Sequence, residues 1–169
     1  MISEEELVNF LEDILIEKFK FQTYRELTIT SKYLDLQAII NQDQMRIDLA
    51  AISFIDGSIY FFEAEREFHV KHPAMYTHFC DYCYLLCPDD AFDDLPWTPK
   101  KQQLSWAEET GIGILTSSGE GAFRNRLGAK LQEDLSPEIR KEVLRMMNKR
   151  YRIRFNTLPL WKRSRKNRE

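Results

Sequence analysis

The chain has 169 residues, of which 43% are hydrophobic and 30% charged, and its formal net charge is −3. This length and composition predict one domain with a packed core and exclude an intrinsically disordered chain, which would contain fewer hydrophobic residues. No apolar run approaches the roughly 20 residues needed to cross a bilayer. The acidic start of the chain, Glu4 to Glu6, differs from the basic and then apolar start of a secretory signal. We therefore expect a cytoplasmic protein that does not enter a membrane.

Hydrophobic periodicity, capping residues and turn residues predict the secondary structure. Ser3 and Glu6 form the pattern of a capping box. Asp56-Gly57 is typical of a tight β-hairpin turn, and Ser136-Pro137 is typical of a helix start. In chain order, the predicted elements are a helix over 3–20, strands over 23–31, 45–55 and 58–64, a helix over 70–82, strands over 84–87, 112–116 and 122–127, and a helix from 136 onward. This order predicts an α/β fold with a mixed central β-sheet flanked by helices.

The end of the chain is basic. The sequence divides into one α/β domain over 1–155 and a tail over 156–169, whose basic residues are Lys162, Arg163, Arg165, Lys166 and Arg168. Such a tail is a candidate for contacts with nucleic-acid phosphates, because neutralising phosphates releases counterions. The alternative is a solvated tail that frays from the domain.

The predicted hairpin brings three acidic side chains to one face of the sheet. With a turn centred on Asp56-Gly57, Asp48 lies opposite Glu65 and diagonally across from Glu63. Side chains two positions apart point to the same side of a strand, so the three carboxylates share a face. Opposite Cβ atoms are about 5 Å apart and diagonal ones about 7–8 Å, which lets these carboxylates converge on one ion.

Converging carboxylates repel one another unless a proton or a cation neutralises them. A divalent metal resolves this repulsion, and Mg²⁺ (or Mn²⁺) suits oxygen ligands better than Zn²⁺ does. Such an ion polarises a phosphoryl oxygen and lowers the pKa of a bound water. The pattern therefore indicates metal-assisted hydrolysis. The alternative is that the acids are solvated ends of two strands.

The segments around these acids resemble those of a known family. Arg46-Ile47-Asp48-Leu49 and Phe62-Glu63-Ala64-Glu65, joined by the hairpin, resemble the core of the PD-(D/E)XK nuclease superfamily. The motif of that core is an acid on one strand and acid-x-lysine on the next. Within this superfamily, the chain resembles the MmcB-like DNA-repair branch. The segments that carry this resemblance are Arg25-Glu26-Leu27, Arg46 to Ala50, Lys71-His72-Pro73 with Tyr76, and Asp81-Tyr82-Cys83 before a strand that ends in Pro88. The resemblance covers about residues 24–150.

The resemblance implies a restriction-endonuclease-like core and a role for each matching residue. Asp48 and Glu63 would bind the metal, and Glu26 would be an upstream acid that supports the site. Glu65 stands where the family usually has lysine, which orients the attacking water and stabilises charge, and a carboxylate cannot stabilise negative charge. Some restriction endonucleases of the superfamily carry Glu or Gln at this position and remain active. In them the acid serves as a group that handles water or binds metal.

Three basic residues near the acids are candidate contacts to nucleic acid. They are Arg46, Arg66 and Lys71. Arg66 or Lys71 could also supply, from the following helix, the positive charge that Glu65 lacks.

Histidines and cysteines are concentrated in one segment, residues 69–87. They are His69, His72, His78, Cys80, Cys83 and Cys87. The spacing of the cysteines has a weak likeness to iron–sulfur and zinc sites, and buried reduced thiols are the alternative. An odd number of closely spaced cysteines does not suit a disulfide framework. The histidines are either phosphate contacts at the rim of the site or ordinary surface groups.

These observations predict a metal-dependent nuclease or a nuclease-like DNA-repair protein. Asp48 and Glu63 bind the metal in this hypothesis, Glu65 binds a second ion or positions water, and Glu26 assists. The expected partner is nucleic acid, in the first place DNA, and a homodimer is expected by analogy with nucleases that address both strands. The alternative is a nuclease-fold protein that binds nucleic acid or a protein partner without cleavage.

Overall fold

The computed structural model describes residues 2–30 and 44–156, except for the side chains of Thr30, Gln44 and residues 149–156. The predicted basic tail, residues 156–169, lies outside the described residues apart from the backbone of Asn156. In the ranges that are described, no helix combines the length and the apolar character needed to cross a membrane.

The described strands form one mixed sheet flanked by helices. In chain order the elements are α1 (Glu4–Glu17), β1 (Gln22–Thr30), β2 (Gln44–Ile52), β3 (Ile59–Ala64), a 3₁₀ helix (Pro73–Phe79), β4 (Tyr82–Pro88), α2 (Asp89–Asp93), α3 (Trp97–Thr110), β5 (Gly113–Ser117), β6 (Arg124–Leu127) and α4 (Pro137–Asn156). The strands are arranged in the order β1-β2-β3-β4-β5-β6. The pairs β3–β4 and β4–β5 are parallel, and the other neighbouring pairs are antiparallel. The prediction of an α/β fold with a mixed central sheet is confirmed.

A hydrophobic core lies on each face of the sheet. One face packs against the 3₁₀ helix, α3 and α4, through residues that include Phe61, Phe79, Leu85, Ala107, Ile114 and Met147. α1 covers part of the other face, where Leu7, Leu11 and Leu15 belong to a cluster with Leu49, Phe62 and Leu86. Because apolar side chains fill both faces, polar side chains from neighbouring strands can meet at the strand ends.

The first helix begins as its sequence predicts. The Ser3 hydroxyl accepts a hydrogen bond from the Glu6 N–H at 3.2 Å, and the Ser3 N–H donates to the Glu6 carboxylate at 2.8 Å. These reciprocal bonds satisfy donors that would otherwise lack a partner in the first turn. The predicted capping box is confirmed.

The β2–β3 hairpin forms, but its turn is longer than the predicted two-residue turn at Asp56-Gly57. The strands pair as far as Ile52 and Ile59, so residues 53–58 form the connection. The Asp56 carboxylate accepts a hydrogen bond from the Ser58 N–H at 3.0 Å. Such bonds from a side chain to the backbone stabilise a longer loop, which is why the prediction of a tight turn is wrong.

The longer turn shifts the predicted register by two residues. Leu49 pairs with Phe62, so Asp48 lies opposite Glu63, and the predicted pairing of Asp48 with Glu65 is wrong. Because side chains alternate between the two faces, a shift of two residues leaves Asp48 and Glu63 on a common face. Glu65 lies just beyond the end of β3.

Three helices differ from the sequence prediction, and α2 (Asp89–Asp93), a short helix without buried residues, is one that the sequence does not predict. The helix predicted over 70–82 is a 3₁₀ helix over Pro73–Phe79, and β4 follows it from Tyr82. α3 is not predicted from the sequence, because its buried residues are only Gln103 and Ala107, which leaves little helical periodicity.

A buried ion pair joins α4 to the sheet. The carboxylate of Asp81 is buried and accepts two hydrogen bonds from the guanidinium of Arg140, one of them at 2.9 Å. It also accepts a hydrogen bond from the Ile59 N–H at 2.8 Å. The carboxylate raises the pKa of Arg140. A buried acid is thus neutralised here by a cation from another element.

We expect Arg140→Met to lower the free energy of unfolding by about 2–3 kcal/mol, because it leaves a buried carboxylate without its cation. Urea denaturation at neutral pH measures this loss. Lys141→Met on the same helix is the matched control, because Lys141 is exposed and substitutions at the surface change stability by about 0.5 kcal/mol or less. Equal losses in the two variants would contradict the assigned role of Arg140.

Candidate metal centre

Asp48 and Glu63 lie side by side where β2 and β3 separate. The last backbone pair between the strands on this side is Leu49–Phe62. Beyond it, the Asp48 N–H donates to the Glu63 carboxylate at 3.3 Å, and the Ala64 N–H donates to the Asp48 carboxylate at 3.0 Å. Each carboxylate is therefore held by the backbone of the opposite strand, which keeps the two acids next to each other.

Glu63 is a buried acid, with 5% of its surface exposed. The Tyr76 hydroxyl lies within hydrogen-bond distance of its Oε1, at 3.2 Å. Burial, followed by the nearby charge of Asp48, raises the pKa of Glu63 to about 8. Burial also raises the pKa of Asp48. Among the described residues, no lysine or arginine forms an ion pair with either acid.

His72 joins Glu65 to Glu63 and Tyr76. Its Nδ1 is 2.5 Å from Glu65 Oε1 and 3.4 Å from Glu63 Oε1. Its Nε2 is 3.2 Å from the Tyr76 hydroxyl. The 3₁₀ helix explains this arrangement, because His72 is its N-cap residue and Tyr76 lies one turn further along.

The donor atoms at this position fit a divalent cation. One ligand atom each from Glu63, Glu65 and His72 lie within 4.8 Å of one another. Two ligands of one ion with bonds of about 2.1 Å are at most about 4.2 Å apart, so a small side-chain movement would bring all three onto a cation. Glu65 and His72 have side-chain exposures of 28% and 47%, which leaves them room to move. Asp48 lies on the same pocket of about 300 Å³ as Glu63 and His72.

Glu26 lies on β1, opposite Asp48 on the neighbouring strand β2. The flanking pairs Arg25–Leu49 and Leu27–Ile47 keep one register, which places Glu26 between them. Its φ is +50°, in the left-handed region that glutamate rarely adopts. Its exposed carboxylate is 4.0 Å from the guanidinium of Arg46.

Arg46 and Asp48 connect two pockets. Both line the pocket that contains Glu63, and both line a second pocket of about 490 Å³ that contains Glu26 and the start of α1. The sequence-predicted residues Asp48, Glu63, Glu26 and Arg46 are therefore brought together, and Glu65 reaches them through Glu63 and His72.

Arg66 and Lys71 lie elsewhere. Arg66 Nε is 3.9 Å from a carboxylate oxygen of Glu4, and Lys71 lines a mostly apolar pocket beside Trp106. In the described part of the chain, neither residue forms an ion pair with the candidate centre. The expectation that one of them brings a positive charge to the acids is therefore not met by an ion pair in the described residues.

The three cysteines are buried free thiols. Cys80 Sγ donates to the Tyr76 carbonyl and Cys83 Sγ to the Pro73 carbonyl, each at 3.5 Å. Burial raises the pKa of Cys80 well above its usual value and that of Cys87 to about 12. Two of the thiols therefore help to hold the 3₁₀ helix that carries Tyr76, and within the described ranges the cysteines form no compact metal-binding group.

Comparison with known proteins shows the fold alone. No family model matches the sequence, and no curated protein matches it. Among solved structures, the chain is similar to the SPO1766 protein of unknown function from Silicibacter pomeroyi, with a TM-score of 0.59 and 15% identity over 91% of this chain and 89% of that one. It is also similar to the protein of unknown function AF1548, with a TM-score of 0.41 and 17% identity over 64% of this chain and 56% of that one. The first of these supports the α/β fold, and membership of the PD-(D/E)XK superfamily stays a prediction.

We expect the free energy of unfolding of the metal-free protein to fall as the pH rises from about 5 to about 8. In the unfolded chain Glu63 loses its proton near its ordinary pKa of 4.5, whereas in the folded protein it keeps the proton up to about pH 8. Between these values the folded state binds the extra proton, so Glu63 contributes a loss of up to about 1.4 kcal/mol per pH unit.

Urea denaturation in the presence of a chelator, at several pH values, measures this dependence. Glu63→Gln removes the ionisable group and should flatten the slope. Glu67→Gln, which changes an exposed acid four residues away, should leave the slope as in the wild type. Parallel slopes for Glu63→Gln and the wild type would show that Glu63 is ionised at neutral pH.

Proposed function

We propose that this protein is a metal-dependent nuclease, or nuclease-like DNA-repair protein, that hydrolyses phosphodiester bonds at the Asp48–Glu63 centre. One observation carries the proposal. Two neighbouring acids, one of them buried, are held together without an ion-paired lysine or arginine among the described residues. The same fold neutralises the buried Asp81 with Arg140. A centre that lacks such a partner suits a cation taken from solution.

Each acid has a role in this proposal. Asp48 and Glu63 would hold Mg²⁺ or Mn²⁺, and Glu65 would bind a second ion or position the attacking water. When bound, the ion supplies positive charge that polarises a phosphoryl oxygen and favours ionisation of water. The Tyr76 hydroxyl keeps the Glu63 carboxylate in place, and Glu26 orients Arg46 through their ion pair.

Nucleic acid is the proposed substrate because an exposed cation lies beside the acids. Arg46 is exposed and borders both pockets that meet at Asp48. Guanidinium groups bind phosphate oxygens well, and such contacts position a nucleic-acid backbone without reading its sequence. DNA is the first candidate from the resemblance to DNA-repair proteins, and a cytoplasmic location and a homodimer belong to the same proposal.

A second candidate function is binding of nucleic acid, or of a protein partner, without cleavage. Glu65 favours it, because this carboxylate stands in place of the family lysine and contacts His72 at 2.5 Å. A carboxylate cannot stabilise the negative charge that develops on a phosphoryl group. The two candidates share a fold and a pocket and differ only in catalysis.

Incubation of the purified protein with labelled single-stranded and double-stranded DNA and RNA, with Mg²⁺ or Mn²⁺, tests the first candidate. We expect cleavage that needs the ion and whose rate falls by about 100-fold or more in Asp48→Asn. Loss of one electrostatic stabiliser typically lowers a catalytic rate by about this factor. Glu67→Gln, an exposed acid outside the centre, should cleave as the wild type does. Binding without cleavage under all conditions would support the second candidate. Neither binding nor cleavage would contradict the nuclease and the nucleic-acid form of the second candidate.

A further inference from the structure

Hydrogen-bond partners at both ring nitrogens orient the ring of His72 beside the acids. Tyr76 is buried, and its hydroxyl lies 3.1 Å from the Arg46 carbonyl and 3.2 Å from Glu63 Oε1. A hydroxyl has one proton and two lone pairs, so Tyr76 donates to one of these oxygens and can accept a hydrogen bond from His72 Nε2–H. The contact at Nε2 directs the other ring nitrogen, Nδ1, toward Glu63 and Glu65.

This arrangement is typical of a metal-binding histidine. Such residues donate the N–H of one ring nitrogen to a neighbouring group, which orients the ring and leaves the lone pair of the other nitrogen for the metal. His72 Nδ1 and Glu65 Oε1 are 2.5 Å apart. A cation bound by both atoms would replace this direct contact between the two side chains.

The type of donor atom affects which ion is preferred. Mg²⁺ favours oxygen ligands and keeps several waters, whereas first-row transition ions accept imidazole nitrogen readily. A centre built from carboxylates alone, those of Asp48, Glu63 and Glu65, would not distinguish strongly between Mg²⁺ and Mn²⁺. An imidazole within the same group of donor atoms changes this balance.

We propose that His72 is a direct ligand of the cation, through Nδ1, and that this imidazole makes the centre prefer Mn²⁺ to Mg²⁺. The inference rests on the proposed function for the existence of a metal centre. It adds a ligand that lies outside the acid-x-lysine pattern, and it specifies the ion. Tyr76 is then a positioning residue, which acts on the metal through His72 and Glu63.

The test measures metal binding and does not depend on cleavage. Isothermal titration calorimetry gives the affinities of the purified full-length chain for Mn²⁺ and for Mg²⁺. We expect the wild type to bind Mn²⁺ at least about tenfold more tightly than Mg²⁺. His72→Ala should lose about tenfold or more in Mn²⁺ affinity and little in Mg²⁺ affinity. Even the loss of a residue that only hydrogen-bonds to a metal ligand lowers affinity by about tenfold or more.

A spectroscopic measurement identifies the nitrogen ligand directly. Pulsed electron paramagnetic resonance of bound Mn²⁺ should show coupling to an imidazole nitrogen in the wild type and no such coupling in His72→Ala. His69→Ala is the matched control, because His69 is an exposed histidine three residues away that lines a different pocket, and it should keep the coupling. His72→Gln keeps a polar side chain of similar reach and should also lose the coupling. Mg²⁺ affinity that stays close to that of the wild type in both variants excludes a folding defect as the cause.

The outcomes separate this inference from the proposed function. Unchanged Mn²⁺ affinity and nitrogen coupling in His72→Ala, with binding lost in Glu63→Gln, would overturn the role of His72 and leave the metal centre in place. Binding of neither ion by the wild type would overturn both. Nitrogen coupling that depends on His72, in a protein that cleaves no nucleic acid, would support this inference and contradict the nuclease.

Discussion

The candidate centre depends on one structural constraint, which is that β2 and β3 stop pairing at Leu49 and Phe62. Beyond this point the backbone N–H groups of Asp48 and Ala64 have carboxylates as acceptors in place of carbonyl groups. A backbone donor in a partly buried position needs an acceptor. The two acids supply these acceptors where the strands no longer pair with each other. The backbone bonds bring the acids together, and the cost of burial, followed by the cost of proximity to Asp48, appears in the raised pKa of Glu63.

The contrast with Asp81 shows that this cost is specific to the centre. Both acids are buried and both accept hydrogen bonds from backbone N–H groups. Asp81 has the guanidinium of Arg140 as a partner, whereas Glu63 has a tyrosine hydroxyl and the ring of His72. Neutral or titratable partners leave Glu63 without a permanent counterion, whereas Asp81 has one in the guanidinium of Arg140.

Local patterns in the sequence predict most strands and the first helix, because the capping box and the alternation of polarity act within a few residues. The common face of Asp48 and Glu63 is predicted although the turn is not, because the error in register is two residues and side chains alternate with that period. α3 is missed because few of its residues are buried.

The part of the centre around His72 is harder to predict, because it depends on contacts between distant segments. Spacing and charge do not distinguish His72 from His69 and His78, and the resemblance, which includes Lys71-His72-Pro73, gives His72 no role. His72 lies at the centre because it caps the 3₁₀ helix that begins at Pro73 and because the Tyr76 hydroxyl of that helix contacts its ring. The thiols of Cys80 and Cys83 donate hydrogen bonds to backbone carbonyls of the segment Pro73–Phe79. Neither the spacing of the cysteines nor the charge of the segment indicates these contacts.

The left-handed backbone at Glu26 changes which side chains reach the core. Tyr24, Leu27 and Ile29 all pack in the same hydrophobic cluster, although an uninterrupted strand would place Tyr24 on the opposite face from the other two. The alternation therefore slips by one residue at Glu26, directly across from Asp48. Position 26 is thus constrained by its backbone as well as by its charge. A related chain that had lost this carboxylate would still need a residue that accepts a positive φ there, such as asparagine or glycine.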